Sequence, residues 1–286
     1  MFSKIHSLFS VPDIRLAGLG FADGDINIMG ALTAFAILFS LEIVWGHQEQ
    51  SKAAIRQSYL TNLGLFIVND FALSLLSVSS LLLLAQRWSH WGLLGLMMDS
   101  FWKGLWSFVL LDLTLYLWHR ANHGLAWLWG FHKVHHSDRC MNVSTAFRLH
   151  FFEVLLGTLV KAVFIMMVGV NASTVMMNEM VITLFVMFHH ANISFKAEAW
   201  LGRLLIVPSL HRLHHSAIRK EHDTNYGAVL SCWDSLFGSL SHGEPGAIGL
   251  KNIKPMGLLE LLQFGFALKR PSTAPLPFYR PLQRKQ

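Results

Sequence analysis

The sequence predicts an all-α fold: a polytopic transmembrane helical bundle of about 4–5 spans, with a histidine-rich helical cap on its cytoplasmic side. Three observations lead to this prediction. Of the 286 residues, 53% are hydrophobic and 14% are charged, whereas an ordinary soluble domain carries about 25% charged residues. Several apolar runs approach the roughly 20 residues that a helix needs to cross a bilayer. Lastly, 12 of the 16 histidines lie between His119 and His222.

Five segments are long and apolar enough to be candidate spans. They are residues 28–45, 59–86, 101–118, 151–169 and 173–188. A short Val-Asn-Ala turn separates the last two segments. Charged side chains at membrane depth usually face the interior of a bundle. For Lys161, two explanations remain open: pairing with a neighbouring acid, or snorkelling towards the interface.

The basic residues predict the orientation of these spans. If the N-terminus lies outside, 18 of the 23 Lys and Arg residues fall in residues 46–58, 119–150 and 189–286. Such an excess marks the cytoplasmic side, so we expect a multi-pass integral membrane protein whose histidine-rich region is cytoplasmic. The net charge of +6 does not indicate a nucleic-acid partner, because the basic residues lie beside apolar spans, where they meet anionic lipid head groups.

Three histidine clusters have the spacing of helical metal sites. HRANH contains His119 and His123, HKVHH contains His132, His135 and His136, and HRLHH contains His211, His214 and His215. Positions three and four residues apart share a helix face, so each cluster can direct two or three imidazoles towards one point. Without a ligand, eight such side chains would leave desolvated ring nitrogens unpaired. The clusters therefore predict a metal site just beyond the ends of the spans.

Eight imidazoles exceed what one ion accepts, since a zinc site normally takes four ligands. The clusters therefore predict two ions. Imidazole suits iron, zinc, copper and nickel alike, so ligand type alone leaves zinc open, but two iron ions that activate O2 as a co-substrate fit the set best. HExxH, GxSxG, Walker A and GxGxxG motifs are absent from the sequence, which argues against zincin proteases and nucleotide-binding folds. A metal-binding membrane protein with a structural or transport role is the alternative.

The motifs HRANH, HKVHHSD, HHANI and HRLHHS, followed by NYG and WDSLFG, resemble the fatty acid hydroxylase/sterol desaturase superfamily. The resemblance runs from about Asp112 to Gly238. It implies a membrane-bound di-iron oxidoreductase that uses O2 to hydroxylate or desaturate a lipid, such as a sterol, a fatty acyl chain or a related lipid. It also divides the chain into an N-terminal membrane-spanning region (1–100), a catalytic region (101–240) and a basic cytoplasmic tail (241–286).

The resemblance further implies a set of metal ligands. The eight clustered histidines match those of the family, and a ninth ligand is expected in the HxN segment. There His190 stands two residues before Asn192 and is preferred to His189. The implied ligands are His119, His123, His132, His135, His136, His190, His211, His214 and His215.

Other residues are expected to support the ligands without binding metal. They are Asp112, His150, Glu153, His189, Asn192, His222 and Asn225. Asp112 and Glu153 are expected to receive the N–H of a ligand imidazole, a common arrangement around metal-binding histidines. Asn225 opens the NYG turn behind the last cluster, and His150 is expected to be structural.

The electrons for such a reaction have no source in the sequence, which contains no haem-domain signature, flavin motif or iron–sulfur cysteine set. The expected partner is therefore an external electron donor, a ferredoxin or a cytochrome b5-like protein with its reductase. The basic tail after residue 250 is suited to dock an acidic carrier, or equally to meet lipid head groups. The lipid substrate is expected to enter sideways from the bilayer.

Overall fold

The computed structural model describes residues 23–75 and 81–267. The described chain is helical and forms no strand, only two isolated β-bridges. The longer helices are α1 (Asp23–Trp45), α2 (Lys52–Leu75), α3 (Leu81–Trp88), α4 (Phe101–Gly124), α5 (Ala126–His136), α6 (Phe151–Val168) and α7 (Ala172–His190). A 3₁₀ helix (Val143–Phe147) precedes α6, and five short helices follow α7: α8 (Glu198–Leu201), α9 (Pro208–His214), α10 (Arg219–His222), α11 (Cys232–Leu236) and α12 (Leu258–Phe264).

Three of the described helices are long and apolar enough to cross a membrane: Ile28–Trp45 in α1, Phe151–Val168 and Ala172–His190. These three match predicted spans, and they indicate a membrane protein. The other two predicted spans are not among these three. Residues 59–75 lie in α2 and residues 81–86 in α3, and residues 101–118 lie inside the longer, more polar α4. The total of four to five spans therefore stays a prediction.

Local signals explain where the long helices begin and end. The Asn171 side chain accepts a hydrogen bond from Thr174 N and so caps α7, as Ser100 caps α4 through Lys103 N. Helix α6 ends at Gly169, whose φ is 74°. A side chain there would collide with the carbonyl of Trp91, so glycine is required by both conformation and space. The turn between α6 and α7 is the one predicted from the sequence.

Polar side chains within the apolar helices pair with one another. Lys161 on α6 lies 2.6 Å from Glu179 on α7, so pairing is the explanation that holds for Lys161. The Glu42 carboxylate on α1 accepts hydrogen bonds from the backbone N–H of Val143 and Asn192 and from the hydroxyl of Tyr59. Glu42 thereby ties α1 to the 3₁₀ helix and to the end of α7.

The histidine-rich segments meet at one end of this bundle. Helix α5 folds back on the end of α4 and also packs against α6 and α12, and α9 packs against α7. An apolar core lies between α4, α6 and α7, where Leu111, Ile165 and Ile182 are buried together. The basic tail expected to dock a carrier lies mostly outside the described residues, since Lys269, Arg270, Arg280, Arg284 and Lys285 all follow residue 267.

Candidate metal centre

Nine histidines converge in two adjacent groups. The first, called the five-histidine group, consists of His119, His123, His132, His136 and His214; the second, called the four-histidine group, consists of His135, His190, His211 and His215. Within each group the candidate ligand nitrogens all lie within 4.8 Å of one another. These nine residues are the ones that the sequence singles out as ligands, and the structure brings all of them together.

The two HxxHH motifs do not each point at one place, contrary to expectation. In HKVHH, His132 and His136 enter the five-histidine group and His135 enters the other group. In HRLHH, His211 and His215 enter the four-histidine group and His214 crosses to the first. The reason is helical geometry, because adjacent residues point about 100° apart, whereas residues four apart share a face. Each motif therefore contributes to both groups and holds them side by side.

The ring nitrogens lie at distances that suit a shared ion. His119 Nε2 lies 3.2 Å from His132 Nε2, and His123 Nε2 lies 3.1 Å from His136 Nε2. In the four-histidine group, His190 Nε2 lies 3.1 Å from His135 Nε2 and 2.9 Å from His211 Nε2. Two imidazoles that bind one ion at right angles through bonds of about 2.1 Å have nitrogens about 3.0 Å apart.

Burial favours the neutral form of six of these imidazoles, which is the form that retains a lone pair. Desolvation lowers the pKa of His123, His135, His136, His211, His214 and His215 well below the usual value, and the positive charge that neighbouring imidazoles would carry lowers it further. Neutral imidazole is the form that binds metal.

The far nitrogens of the five-histidine group show which ring atom faces inwards. His119 Nδ1 donates to the Tyr226 carbonyl at 2.9 Å and His214 Nδ1 donates to the Thr224 carbonyl at 2.6 Å. His132 Nδ1 lies 2.6 Å from a Glu153 carboxylate oxygen. In a neutral imidazole that donates through Nδ1, Nε2 carries the lone pair.

This tautomer tests whether the site fits a metal. His119 and His214 donate through Nδ1 to carbonyl oxygens, so their Nε2 lone pairs face into the group, where His119 Nε2 lies 3.2 Å from His132 Nε2. His214 Nε2 is buried and has no hydrogen-bond partner among the described residues. Buried lone pairs that face one another are unfavourable unless a cation lies between them. The donor set therefore fits metal ions.

The NYG turn supports two of these imidazoles at once. Its Asn225 adopts a positive φ of 54°, and the Asn225 side chain donates to the carbonyls of Leu210 and Ser241 and accepts from Ser241 N. The residues on either side, Thr224 and Tyr226, present the carbonyls that hold His214 and His119. Asn225 thus positions two histidines from different helices.

The expected role of Asp112 is wrong. Its two carboxylate oxygens accept hydrogen bonds from the backbone N–H of Val229 and Leu230 and from the indole of Trp233. Although Asp112 shares a helix face with His119, seven residues of helix separate them by about 10 Å along the axis. Asp112 instead fixes the segment that follows the NYG turn, and Asp234 fixes the turn itself by accepting hydrogen bonds from Tyr226 N and Gly227 N.

The remaining supporting residues lie around the two groups. His150 caps α6 through Phe152 N and lies 3.0 Å from the Leu262 carbonyl, which is a structural role. His189 packs against His211, with ring centroids 4.0 Å apart and ring planes inclined by 40°.

Asn192 holds the connector between α1 and α2, since its amide bonds both the N–H and the carbonyl of Gln48. His222 Nδ1 lies 3.0 Å from the Ser216 carbonyl, and its ring stacks on Trp129.

Sequence reasoning missed Asp223, which lies 3.2 Å from His123 Nδ1 and 3.0 Å from Arg219. No spacing pattern links Asp223 to a histidine 100 residues earlier in the chain.

Sequence reasoning also missed a buried polar layer at the end of α5. There Arg148 donates to the Val134 carbonyl, the Ser137 hydroxyl and the Asn62 amide oxygen. Asp138 accepts a hydrogen bond from the same Asn62 side chain. This layer fastens the helix end that carries His135 and His136.

Comparisons with known proteins agree with the resemblance seen in the motifs. Residues 104–239 match the family described as fatty acid hydroxylase. An alkylglycerol monooxygenase from Caenorhabditis elegans is 30% identical over 57% of this chain and 32% of its own length. An ornithine lipid hydroxylase from Rhizobium tropici is 29% identical over 60% of this chain and 55% of its own length.

A third relative, a cholesterol 25-hydroxylase-like protein from Danio rerio, is 29% identical over 46% of this chain and 53% of its own length. The chain thus spans between about a third and about half of the length of these relatives. No solved structure matches the chain significantly.

Proposed function

Residues 104–239 of this chain belong to the fatty acid hydroxylase family, and from that premise we propose that the protein is a membrane-bound, di-iron, O2-dependent lipid hydroxylase. It would oxidise a C–H bond of a sterol, a fatty acyl chain or a related lipid. The observation that carries the proposal is the pair of adjacent histidine groups, built from nine imidazoles whose inward nitrogens lie within 4.8 Å of one another in each group. Desaturation requires the same oxidant and is the variant outcome.

Each histidine group is proposed to hold one ion. Five imidazoles exceed the four ligands of an ordinary zinc site, and imidazole is a suitable ligand for iron. Two structural zinc ions would also be an unusual use of nine buried histidines. When bound, the iron pair supplies the activation of O2 that an unactivated C–H bond requires.

The protein's own residues hold, orient and shield that pair. Glu153 and Asp223 accept N–H from His132 and His123 and so fix these rings, which also raises the basicity of the inward nitrogens. The Thr224 and Tyr226 carbonyls orient His214 and His119. Burial of His136, His214 and His215, none of which has an exposed surface, keeps bulk water from the inward nitrogens.

The membrane supplies the substrate in this proposal. Helices α1, α6 and α7 would be spans of a multi-pass bundle that includes further segments, with the histidine groups in a cap on the cytoplasmic side. The excess of Lys and Arg in residues 119–150 and 189–286 supports that side. We propose the division expected from the sequence, with a catalytic region at 101–240, and an external ferredoxin or cytochrome b5-like donor with its reductase.

The names of the relatives guide the choice of lipid. The first is named for an alkylglycerol and the second for an ornithine lipid. The third is named for its similarity to an enzyme that hydroxylates cholesterol. Each of these molecules joins a long apolar body to a polar head. We therefore propose a lipid of this kind as the substrate, and hydroxylation as the reaction.

The proposed function is tested by giving the full chain every component that the reaction needs. Iron-loaded protein in lipid nanodiscs is given a reduced ferredoxin with its reductase, isotopically labelled O2, and in parallel an alkylglycerol, an ornithine lipid and cholesterol. The expected product is one lipid that has gained a single labelled oxygen atom, detected by mass spectrometry and absent with His135→Ala. Iron-loaded, folded protein that oxidises none of a broad lipid extract would contradict the proposal.

A further inference from the structure

Trp129 connects the five-histidine group to the protein surface. Its ring centroid lies 5.0 Å from that of His123 and 5.3 Å from that of His136. The indole is half-buried. Of the tryptophans among the described residues, only Trp129 has a ring that contacts imidazoles of a histidine group. It therefore offers an aromatic path from the exterior to that group.

The short helix α10 lies against this tryptophan. His222, the last residue of α10, stacks on Trp129 with centroids 5.3 Å apart and ring planes inclined by 17°. A second connection starts from the same helix, since Arg219 lies 3.0 Å from Asp223, and Asp223 in turn lies 3.2 Å from His123 Nδ1. Helix α10 is thus coupled to the five-histidine group through stacking and through a charged chain.

The outer surface of α10 has the character of a docking surface. Ile218, just before α10, is 53% exposed, and Arg219 and Lys220 beside it are also exposed. Ile218 is followed by two exposed cations, Arg219, which also pairs with Asp223, and Lys220. Exposed cations beside an apolar side chain favour a partner whose own contact surface is acidic, because complementary charge steers association. The proposed reaction needs such a partner, since it consumes electrons that no group in the sequence supplies.

We propose that Ile218, Arg219 and Lys220 form the docking surface for an acidic one-electron carrier protein, and that Trp129 is the positioning residue that couples the carrier to the five-histidine group. In each transfer the reduced carrier loses one electron and a ferric ion gains it, so the carrier leaves oxidised, and no bond forms or breaks. Two such transfers supply one reaction cycle. This inference rests on the proposed function.

The docking surface is tested without metal. The probe is a reduced acidic [2Fe–2S] ferredoxin, and its affinity for the metal-free full chain in nanodiscs is measured at two salt concentrations. Lys220→Glu is expected to weaken binding about tenfold at low salt and to reduce the dependence on salt. The matched control is Lys196→Glu, an exposed lysine in the loop after α7, which should bind as the wild type does. Equal effects of the two substitutions would overturn the docking surface.

The path through Trp129 is tested on the iron-loaded chain by stopped-flow reduction. Trp129→Leu is expected to slow reduction by ferredoxin at least about tenfold, with unchanged iron content and ferredoxin affinity, and Trp129→Phe should fall between it and the wild type. Trp127→Leu, which removes a 53% exposed tryptophan of the same helix, should reduce normally. Unchanged reduction of Trp129→Leu and Trp129→Phe at full iron content would overturn the path.

A wild-type chain that binds no iron contradicts the proposed function and not the docking surface. The affinity of the metal-free chain for ferredoxin still decides the docking surface.

Discussion

The two histidine groups differ in what holds their rings from behind. In the five-histidine group, Nδ1 of His119, His123, His132 and His214 each has a partner, and two of these partners are the carboxylates Glu153 and Asp223. In the four-histidine group, only His190 Nδ1 has such a partner among the described residues, and that partner is the Val186 carbonyl.

This difference has a physical consequence for the ions that the groups are proposed to hold. Oriented ligands lose less entropy on binding metal, and a carboxylate behind an imidazole makes the inward nitrogen a better donor. Two carboxylates also offset the charge of a divalent ion. We therefore expect the five-histidine group to hold its ion tightly, and the four-histidine group to hold its ion more weakly and with more open positions.

The largest effect is expected from Glu153→Gln, which keeps the size of the side chain and removes its charge. The Glu153 side chain is only 8% exposed and lies 2.6 Å from His132 Nδ1. Loss of such a partner should lower metal affinity about 10–100-fold, and only in the five-histidine group. Chelator competition should show one of two phases of iron release accelerating. Equal acceleration of both phases would contradict the distinction between the groups.

Asn225→Ala tests the NYG turn. Alanine loses three hydrogen bonds and must adopt a positive φ, so it should lower the free energy of unfolding by about 2–4 kcal/mol. Asn225→Gly relieves the backbone strain and should recover about 1 kcal/mol. Thermal unfolding in detergent measures both. If glycine is no better than alanine, the strain argument fails.

Asp223→Asn should produce a smaller loss in the same group. Asp223 is 24% exposed and divides its carboxylate between His123 and Arg219, so solvent already screens part of its charge. We expect at most about a tenfold loss of affinity, measured by the same competition. A loss greater than that of Glu153→Gln would reverse the order in which these carboxylates matter.

The smallest effect is expected from His189→Phe, which retains a ring against His211. Because His190, and not His189, lies among the inward nitrogens of the four-histidine group, iron content should stay unchanged. Iron release from that group should quicken less than with Asp223→Asn. If the variant instead loses one ion per chain, His189 is a metal ligand.

The sequence predicts the site residues that lie close to one another along the chain. The HxxHH and HxxxH spacings identify eight of the nine histidines that converge, because helical periodicity places their side chains near one another, and the ninth, His190, follows from the family's HxN segment. Glu153 is expected to receive the N–H of a ligand imidazole, and the structure places its carboxylate 2.6 Å from His132 Nδ1, a contact between two different helices. The helical class and three apolar helices also follow from composition and hydropathy.

Sequence reasoning fails where the answer depends on tertiary distance. Asp112 shares a helix face with His119, but its actual partners, the backbone N–H groups of Val229 and Leu230, depend on how a distant segment packs against α4. Asp223 meets His123 only because the α9–α10 segment folds over α5, and the assignment of His135 and His214 to the opposite groups requires the relative placement of α5 and α9. The span count stays a prediction for a similar reason, because the polar residues of α4 make its role depend on packing.

The central claim is that two unlike metal positions lie side by side, and the most direct test is iron content. Purified wild-type chain, His132→Ala and His135→Ala, each shown to be folded, are assayed for iron and zinc. We expect about two iron ions per wild-type chain and about one in each variant. The ion that His132→Ala retains should be released to chelator faster than the ion that His135→Ala retains. One ion or none in the wild type, tightly held zinc in place of iron, or two variants that retain indistinguishable ions would contradict the account.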